Sequence, residues 1–280
     1  MRIDAHHHLW DLARRPQPWL VGEALHPIDR TFRLDELRPL LAAHSVEATV
    51  VVQSSSSLEE TRELLDVAAR SQGLIAGVVG WADLTDPALP EVLASLAEPS
   101  AGPLVGIRHQ VQDEADPAWL TRSDVHAGLR AVAAAGLVYD LLVTPAQLDA
   151  AVRTVRALPE VRFVLDHGGK PPLASGEWEP WAGQVAALAE LPNVACKLSG
   201  LVTEADWEGW RPQDVLPAAR HLLAAFGPDR LMYGSDWPVC TLAGGYADVY
   251  ALAEQAIASL DPAGRAAVLG GTAAHWYGLA

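Results

Sequence analysis

The residues able to do chemistry in this sequence of 280 residues gather at a few points. His6 and His8 stand two apart in IDAHHHLWD, His167 closes FVLDHGGKP, and Asp236 sits in MYGSDWP. Side chains two apart on a strand share a face. His6 and His8 can therefore grip one ion or one substrate oxygen, while His7 turns to the opposite face. A carboxylate such as Asp236, following an apolar stretch and flanked by Gly234 and Pro238, can ligate a metal and take a proton from water. The plainer alternatives are a turn aspartate, a structural histidine at 167, and a histidine triplet without a task.

These groups can act together only if the fold brings them to one place. Short apolar, β-branched runs occur at 3–8, 48–53, 74–81, 104–109, 137–142, 161–167, 193–199 and 231–236. Segments of helical period separate most of them, at 58–71, 124–136, 146–158, 181–191, 215–226 and 246–260. The runs are apolar almost throughout, as in a parallel sheet covered by helices. Eight strand-and-helix units predict a (β/α)8 TIM barrel in one domain over residues 1–280. A doubly wound open sheet is the alternative, but no glycine-rich dinucleotide loop follows the first strand. The stretch 11–33, which includes RRPQPWLVGEALHPID, reads as a loop or lid over one barrel mouth.

Several of these runs end in residues an apolar core would not choose. Besides the three histidines and Asp236 they are Gln53, Trp81, Arg108, His109, Tyr139, Asp140 and Lys197. In a barrel such C-terminal strand ends converge on one mouth, where barrel enzymes place their chemistry. Arg108 and Lys197 lie on strands that otherwise look buried, so each needs a carboxylate or a ligand. An internal pairing with Asp140 or Asp166 and a contact to substrate are both open. Trp10, Trp81 and Trp237 could offer apolar faces to a sugar ring. His26, His44, His126, His221 and His275 fall in loop or helix patterns and read as structural or surface residues.

Composition narrows the partners. A formal charge of −15 argues against nucleic acid, which is met by clustered Lys and Arg. No apolar run reaches membrane-spanning length, and the N-terminus lacks the order of a signal peptide. Two cysteines, Cys196 and Cys240, cannot build a disulfide framework. A cytoplasmic location and a small-molecule partner are expected, with a homodimer as the base-rate assembly.

The combination of HxH on the first strand, His167 on the sixth and Asp236 on the eighth resembles the amidohydrolase superfamily. IDAHHHLWD, GIRHQVQDE, FVLDHGGKP, CKLSGL and MYGSDWP extend the resemblance over nearly the whole chain. They are most similar to its sugar-lactone hydrolases, the L-fuconolactonase and L-rhamnonolactonase branch, related to 2-pyrone-4,6-dicarboxylate lactonase. The resemblance implies an amidohydrolase-like barrel that opens the ester bond of a lactone. It implies Asp236 as the base and His6, His8, His167 and Asp236 as holders of one divalent metal, with Zn expected. His167 joins Asp236 as a catalytic residue, while Gln53, Trp81, Arg108, His109, Tyr139, Lys197 and Trp237 would line the substrate pocket. No histidine ends the fifth strand (VYDLLV), so a two-metal centre is not expected, and a metal-free route stays open. A metal-dependent decarboxylase of the same superfamily and a barrel that only binds a sugar acid are the competing readings.

Overall fold

A computed structural model describes residues 1–98 and 102–279. The strands are β1 (Ile3–His7), β2 (Ala48–Val52), β3 (Ile75–Gly80), β4 (Leu104–His109), β5 (Val138–Leu141), β6 (Phe163–Leu165), β7 (Val194–Leu198) and β8 (Leu231–Tyr233). They form one eight-stranded sheet in sequence order, every neighbouring pair parallel. Past β8 the chain closes the sheet onto β1. Asp236 N–H donates to the His6 carbonyl at 2.8 Å and His8 N–H to the Trp237 carbonyl at 2.7 Å. Eight parallel strands thus make a nearly closed TIM barrel.

The helices α1 (Leu34–Ala43), α2 (Leu58–Ala69), α3 (Leu89–Leu96), α4 (Ser123–Ala134), α5 (Leu148–Ala157), α6 (Trp181–Ala189), α7 (Pro212–Phe226) and α8 (Tyr246–Ala256) return the chain between strands and after β8. Two short helices follow, α9 (Pro262–Ala266) and α10 (Thr272–Tyr277). Helices α1, α3, α9 and α10 were not anticipated. α1 and α7 carry an internal proline, and α3 has proline near its start. Among the described residues no helix is long and apolar enough to cross a membrane.

Burial on both faces explains the valine-rich strands. Inside the barrel Ile3, Val50, Val52, Val79, Val138 and Val164 pack with Trp276 and Tyr277 of α10. Between barrel and helices lies a second, larger layer that includes Val51, Ile107, Leu141, Phe163 and Leu198. Residues 11–33 leave and rejoin this body through a narrow neck. Trp10 and Phe32 exchange backbone hydrogen bonds at 3.2 and 2.9 Å, and a 3-10 turn, Glu23–Ile28, lies within the excursion. An excursion whose ends are paired in this way has the form of an Ω-loop, here longer than the usual span of about 6–16 residues.

Candidate active site

The first strand does not keep a simple period of two. Asp4 pairs with Thr49 and His7 with Val51, so β1 carries one extra residue, a β-bulge. Ile3 and Ala5 point into the barrel. Unbroken alternation would send His7 after them and His6 and His8 outward. The bulge inverts the order and brings His6 and His8 inside. Asp4 stabilises it by accepting the His6 N–H at 3.2 Å and the Ser235 N–H at 2.8 Å. Its second oxygen takes the Tyr246 hydroxyl at 3.1 Å. Burial nevertheless pushes the Asp4 carboxyl up to about 6.

His167 and Asp236 lie just beyond the ends of β6 and β8, each with left-handed backbone, φ 52° and 56°. Non-glycine residues are rare there, and such strain concentrates at functional sites. Two glycines make the room. A Cβ on Gly200 would fall 2.4 Å from Nδ1 of His167, and one on Gly234 would fall 2.6 Å from Cβ of His6. The short strands β6 and β8, expected to run on to 167 and 236, end where these turns begin.

The four side chains converge. Nε2 of His6 lies 3.1 Å from Nε2 of His8 and 3.7 Å from Oδ1 of Asp236, and His8 Nε2 lies 3.4 Å from the same oxygen. His6, His167 and Asp236 each offer a ligand atom within 4.8 Å of the others. His8 gives its Nδ1 proton to the Val52 carbonyl at 2.8 Å, which turns Nε2 toward Asp236 and the other ring nitrogens as the atom that would ligate an ion. A tetrahedral zinc site with bonds near 2.0–2.1 Å has ligand-to-ligand edges of about 3.4 Å, close to the three distances here. The residues fit one divalent ion.

Beneath this cluster lies a buried charge network. Lys197 Nζ meets Asp140 Oδ2 at 2.5 Å, Asp166 Oδ1 at 2.9 Å and His6 Nδ1 at 3.0 Å. Arg108 Nη1 donates to Asp166 Oδ2 at 2.9 Å, and its Nη2 donates to the backbone and side-chain oxygens of Gln53. Tyr277 of α10 donates to Asp140 at 2.9 Å from the far end of the barrel. Two cations face two carboxylates, so the network balances in charge. Burial opposes ionisation of Asp166, but Lys197, His6 and Arg108 outweigh it and hold the carboxyl well below its usual range. His6 Nδ1 also lies 3.4 Å from Asp166 Oδ1.

Above the cluster opens a cleft of about 200 Å³ whose lining includes His8, Arg108, His167, Asp236, Trp19 and Gln112. A larger cavity of about 290 Å³ lies behind the Ω-loop, between it and α1 and α2, and does not reach these groups. Asp236 would be raised by burial alone, but His167 and His8 hold it below the usual carboxylate range. Burial lowers His167 to about 4. At neutral pH the cleft therefore presents an ionised carboxylate beside the neutral imidazole of His167.

The expected pocket residues divide. Arg108 reaches the cleft. Lys197 and Gln53 are fully buried below it, one paired to carboxylates and the other bonded to Arg108. Tyr139 alternates with the inward Asp140, so it points to the helix layer, edge-on to Phe163. His109 likewise alternates with Arg108. It accepts from the Trp81 indole at 3.0 Å, pairs with Glu114 at 2.7 Å and stacks on Trp119. Trp237 packs edge-on against Phe32 at the neck of the Ω-loop. As assignments to the pocket wall, Gln53, Trp81, His109, Tyr139, Lys197 and Trp237 are thus corrected to supporting positions. His7 faces outward, as expected, and its Nε2 lies 2.9 Å from Thr49 Oγ1.

The model of the amidohydrolase family matches residues 3–279. The chain belongs to the amidohydrolase family. Among its relatives, L-fucono-1,5-lactonase of Burkholderia ambifaria is 44% identical, covering 99% of this chain and 95% of that protein. L-fucono-1,5-lactonase of Burkholderia multivorans is 42% identical, covering 100% and 96%. A crystal structure of an amidohydrolase from Burkholderia multivorans with bound zinc superposes with a TM-score of 0.94 at 41% identity, covering both chains fully. Within this amidohydrolase the sequence reading left several contributors unassigned. Asp4 and Trp19 carry no strand-end signal. Lys170, which pairs with Glu204 across the mouth at 3.3 Å, and Gln112 stand in loops beyond the strands. Asp166 was noted only as a partner for a cation. The motif FVLDHGG could have promoted it, because an aspartate preceding the ligand histidine is well placed to orient other groups.

Proposed function

We infer that this amidohydrolase opens the ester bond of a sugar-derived lactone, with L-fucono-1,5-lactone the first substrate to test. The observation that carries the reading is the convergence of His6, His8, His167 and Asp236 at the floor of a small cleft, in a chain alike over its full length to two L-fucono-1,5-lactonases.

Lactone opening needs an activated water, a donor for the oxygen that gains charge, and a proton for the leaving alkoxide. Asp236 is ionised at neutral pH and borders the cleft, so its carboxylate takes the proton from water. Arg108 lines the cleft, and its buried Nε has no hydrogen-bond partner. Its N–H is held by the Asp166 and Gln53 contacts to the same guanidinium and can meet the developing oxyanion, a contact worth about 3 kcal/mol. Asp236 then returns its proton to the ring oxygen as the ester bond breaks. His6, His8 and Asp236, with His167, are the residues that would hold a divalent ion, and zinc suits their nitrogen and oxygen donors. When bound, such an ion polarises the carbonyl and lowers the pKa of water toward about 7. The Ω-loop 11–33, which brings Trp19 to the cleft, serves as its cover.

The test is a pH-indicator assay over aldonolactones and pyrone lactones, with chelated and zinc-supplemented samples and metal analysis of each. Acid release from an aldono-1,5-lactone, lost on chelation and restored by zinc, is the expected outcome. Absence of acid release from every lactone, or carbon dioxide release from an aromatic acid instead, would overturn the reading.

A further inference from the structure

Most polar side chains around the cleft are already satisfied by the protein. Gln110 accepts from the Ser56 hydroxyl at 3.1 Å and donates to the Ser54 carbonyl at 3.4 Å. Ser54 Oγ is engaged by Glu60 and Gln17. Thr203 Oγ1 donates to the Gly200 carbonyl at 2.8 Å, and Lys170 pairs with Glu204. Among the described residues bordering the cleft, two buried side-chain atoms have no partner: Arg108 Nε and Gln112 Oε1. A buried carboxamide oxygen left unpaired costs about 1–3 kcal/mol. Such an atom calls for a partner from outside the chain, a water in the resting site or a ligand group when one is bound.

Gln112 is also fixed in place without using its side chain. It lies in a 3-10 turn, Val111–Asp113, directly after β4. Its backbone N–H donates to the Leu142 carbonyl at 3.1 Å. The neighbouring Gln147 holds the same turn by donating to the Val111 carbonyl at 2.6 Å. The carboxamide is therefore carried by a braced backbone, and no hydrogen bond of the fold would be lost with it.

We propose that Gln112 is a specificity-determining residue whose carboxamide receives one hydroxyl of the sugar lactone, reading the sugar rather than the ester. This rests on the lactonase reading above and deepens it. Arg108, on the same cleft, carries in its unpaired Nε–H the complementary donor for an oxygen at the reacting end. A substrate matched to the pair is a polyhydroxylated lactone. An aromatic or muconate-type lactone, which offers no hydroxyl donor, would leave Gln112 unpaired. A site built to hydrogen-bond a hydroxyl discriminates strongly against the analogue lacking it.

The experiment crosses the enzyme variant with the substrate. Wild type and Gln112→Leu are assayed on the preferred aldonolactone and on a series of its monodeoxy analogues, with melting temperatures measured alongside. The expected result is a fall in kcat/KM of about 10- to 100-fold for Gln112→Leu on the parent lactone. One monodeoxy analogue, poor for the wild type, should be handled equally well by both proteins. Gln112→Glu, which keeps an acceptor of the same length, should recover part of the loss on the parent only. If Gln112→Leu lowers every substrate by the same factor, or lowers none, the proposal is overturned while the lactonase reading stands. If the wild type hydrolyses no lactone in the series, the lactonase reading falls, and the assignment of Gln112 falls with it.

Discussion

Replacement of Lys197 by methionine tests the buried support beneath the active site. The ammonium is fully buried and contacts Asp140 Oδ2 at 2.5 Å, Asp166 Oδ1 at 2.9 Å and His6 Nδ1 at 3.0 Å. Methionine fills similar volume but removes the charge. Asp166 retains Arg108, whereas Asp140 keeps only the Tyr277 hydroxyl. One carboxylate is then left buried without a cation, which costs about 3–5 kcal/mol. For a chain of this size that is a drop in Tm of roughly 6–20 °C. The double variant Lys197→Met, Asp140→Asn should recover most of the loss, because the neutral carboxamide still accepts from Tyr277. The pH dependence has a definite sign. Burial already raises Asp140 to about 6 from an ordinary value of 3.8, and loss of Lys197 raises it further. A carboxyl raised in the folded state contributes most below its unfolded pKa and loses that contribution as pH rises through the folded one. The gap in Tm between variant and wild type should therefore be smaller at pH 5 than at pH 8. Calorimetry at the two pH values decides it. A single variant within 1 °C of wild type, or a double variant no better than the single, would refute the account of a charge-balanced core.

Asp236→Asn should keep the fold and lower kcat for lactone hydrolysis by about 10²- to 10⁴-fold, the range for loss of a positioned acid or base; a steady-state assay with a thermal melt checks both. His8→Ala should cost activity far more than stability. His7→Ala should do the reverse, losing about 2–4 kcal/mol in a denaturant titration by leaving a cavity in the helix-facing layer, with kcat/KM within a few fold. Acid should also destabilise through His7, which burial lowers to about 3 from 6.5. A histidine depressed in the folded state contributes stability above its unfolded pKa and loses it as pH falls toward the folded one. His167 acts in the same direction, and Asp4 and Asp140, raised to about 6, act in the opposite one. The difference between wild type and His7→Asn isolates the His7 share: the Tm gap between them should narrow as pH falls from 7 to 4.5.

The eight strands and the cluster of His6, His8, His167 and Asp236 were legible in the sequence because they rest on local patterns: apolar runs, and polar residues at the ends of those runs. The pocket wall was less legible, for a physical reason. A strand end carries residues of both orientations, and composition does not tell inward from outward. Arg108 and His109 are adjacent and both polar, yet one turns into the barrel and the other stacks on Trp119. Tyr139 and Asp140 divide in the same way. The histidine pair shows the converse. Its inward direction depends on a bulge that a strict period of two does not contain, with Asp4 as its support. The helices α1, α3, α9 and α10 escaped notice where proline or short length hides the helical period.

Two residues expected to touch substrate, Lys197 and Gln53, instead belong to the layer beneath the residues that can. Lys197 and Asp166 contact His6, and Asp166 and Gln53 contact Arg108, while Asp140 and Tyr277 carry the network toward the barrel's far end. Such a layer separates two demands. The upper residues must change charge or accept a ligand during turnover, whereas the lower ones need a fixed and neutral balance to survive burial. If that separation holds, substitutions in the lower layer should move Tm and kcat together, and substitutions of cleft-facing Gln112 or Asp236 should move kinetic constants with little change in Tm. A Gln112→Leu protein that melted many degrees lower, or a Lys197→Met protein that changed only KM, would mean that support and recognition are not divided between the layers.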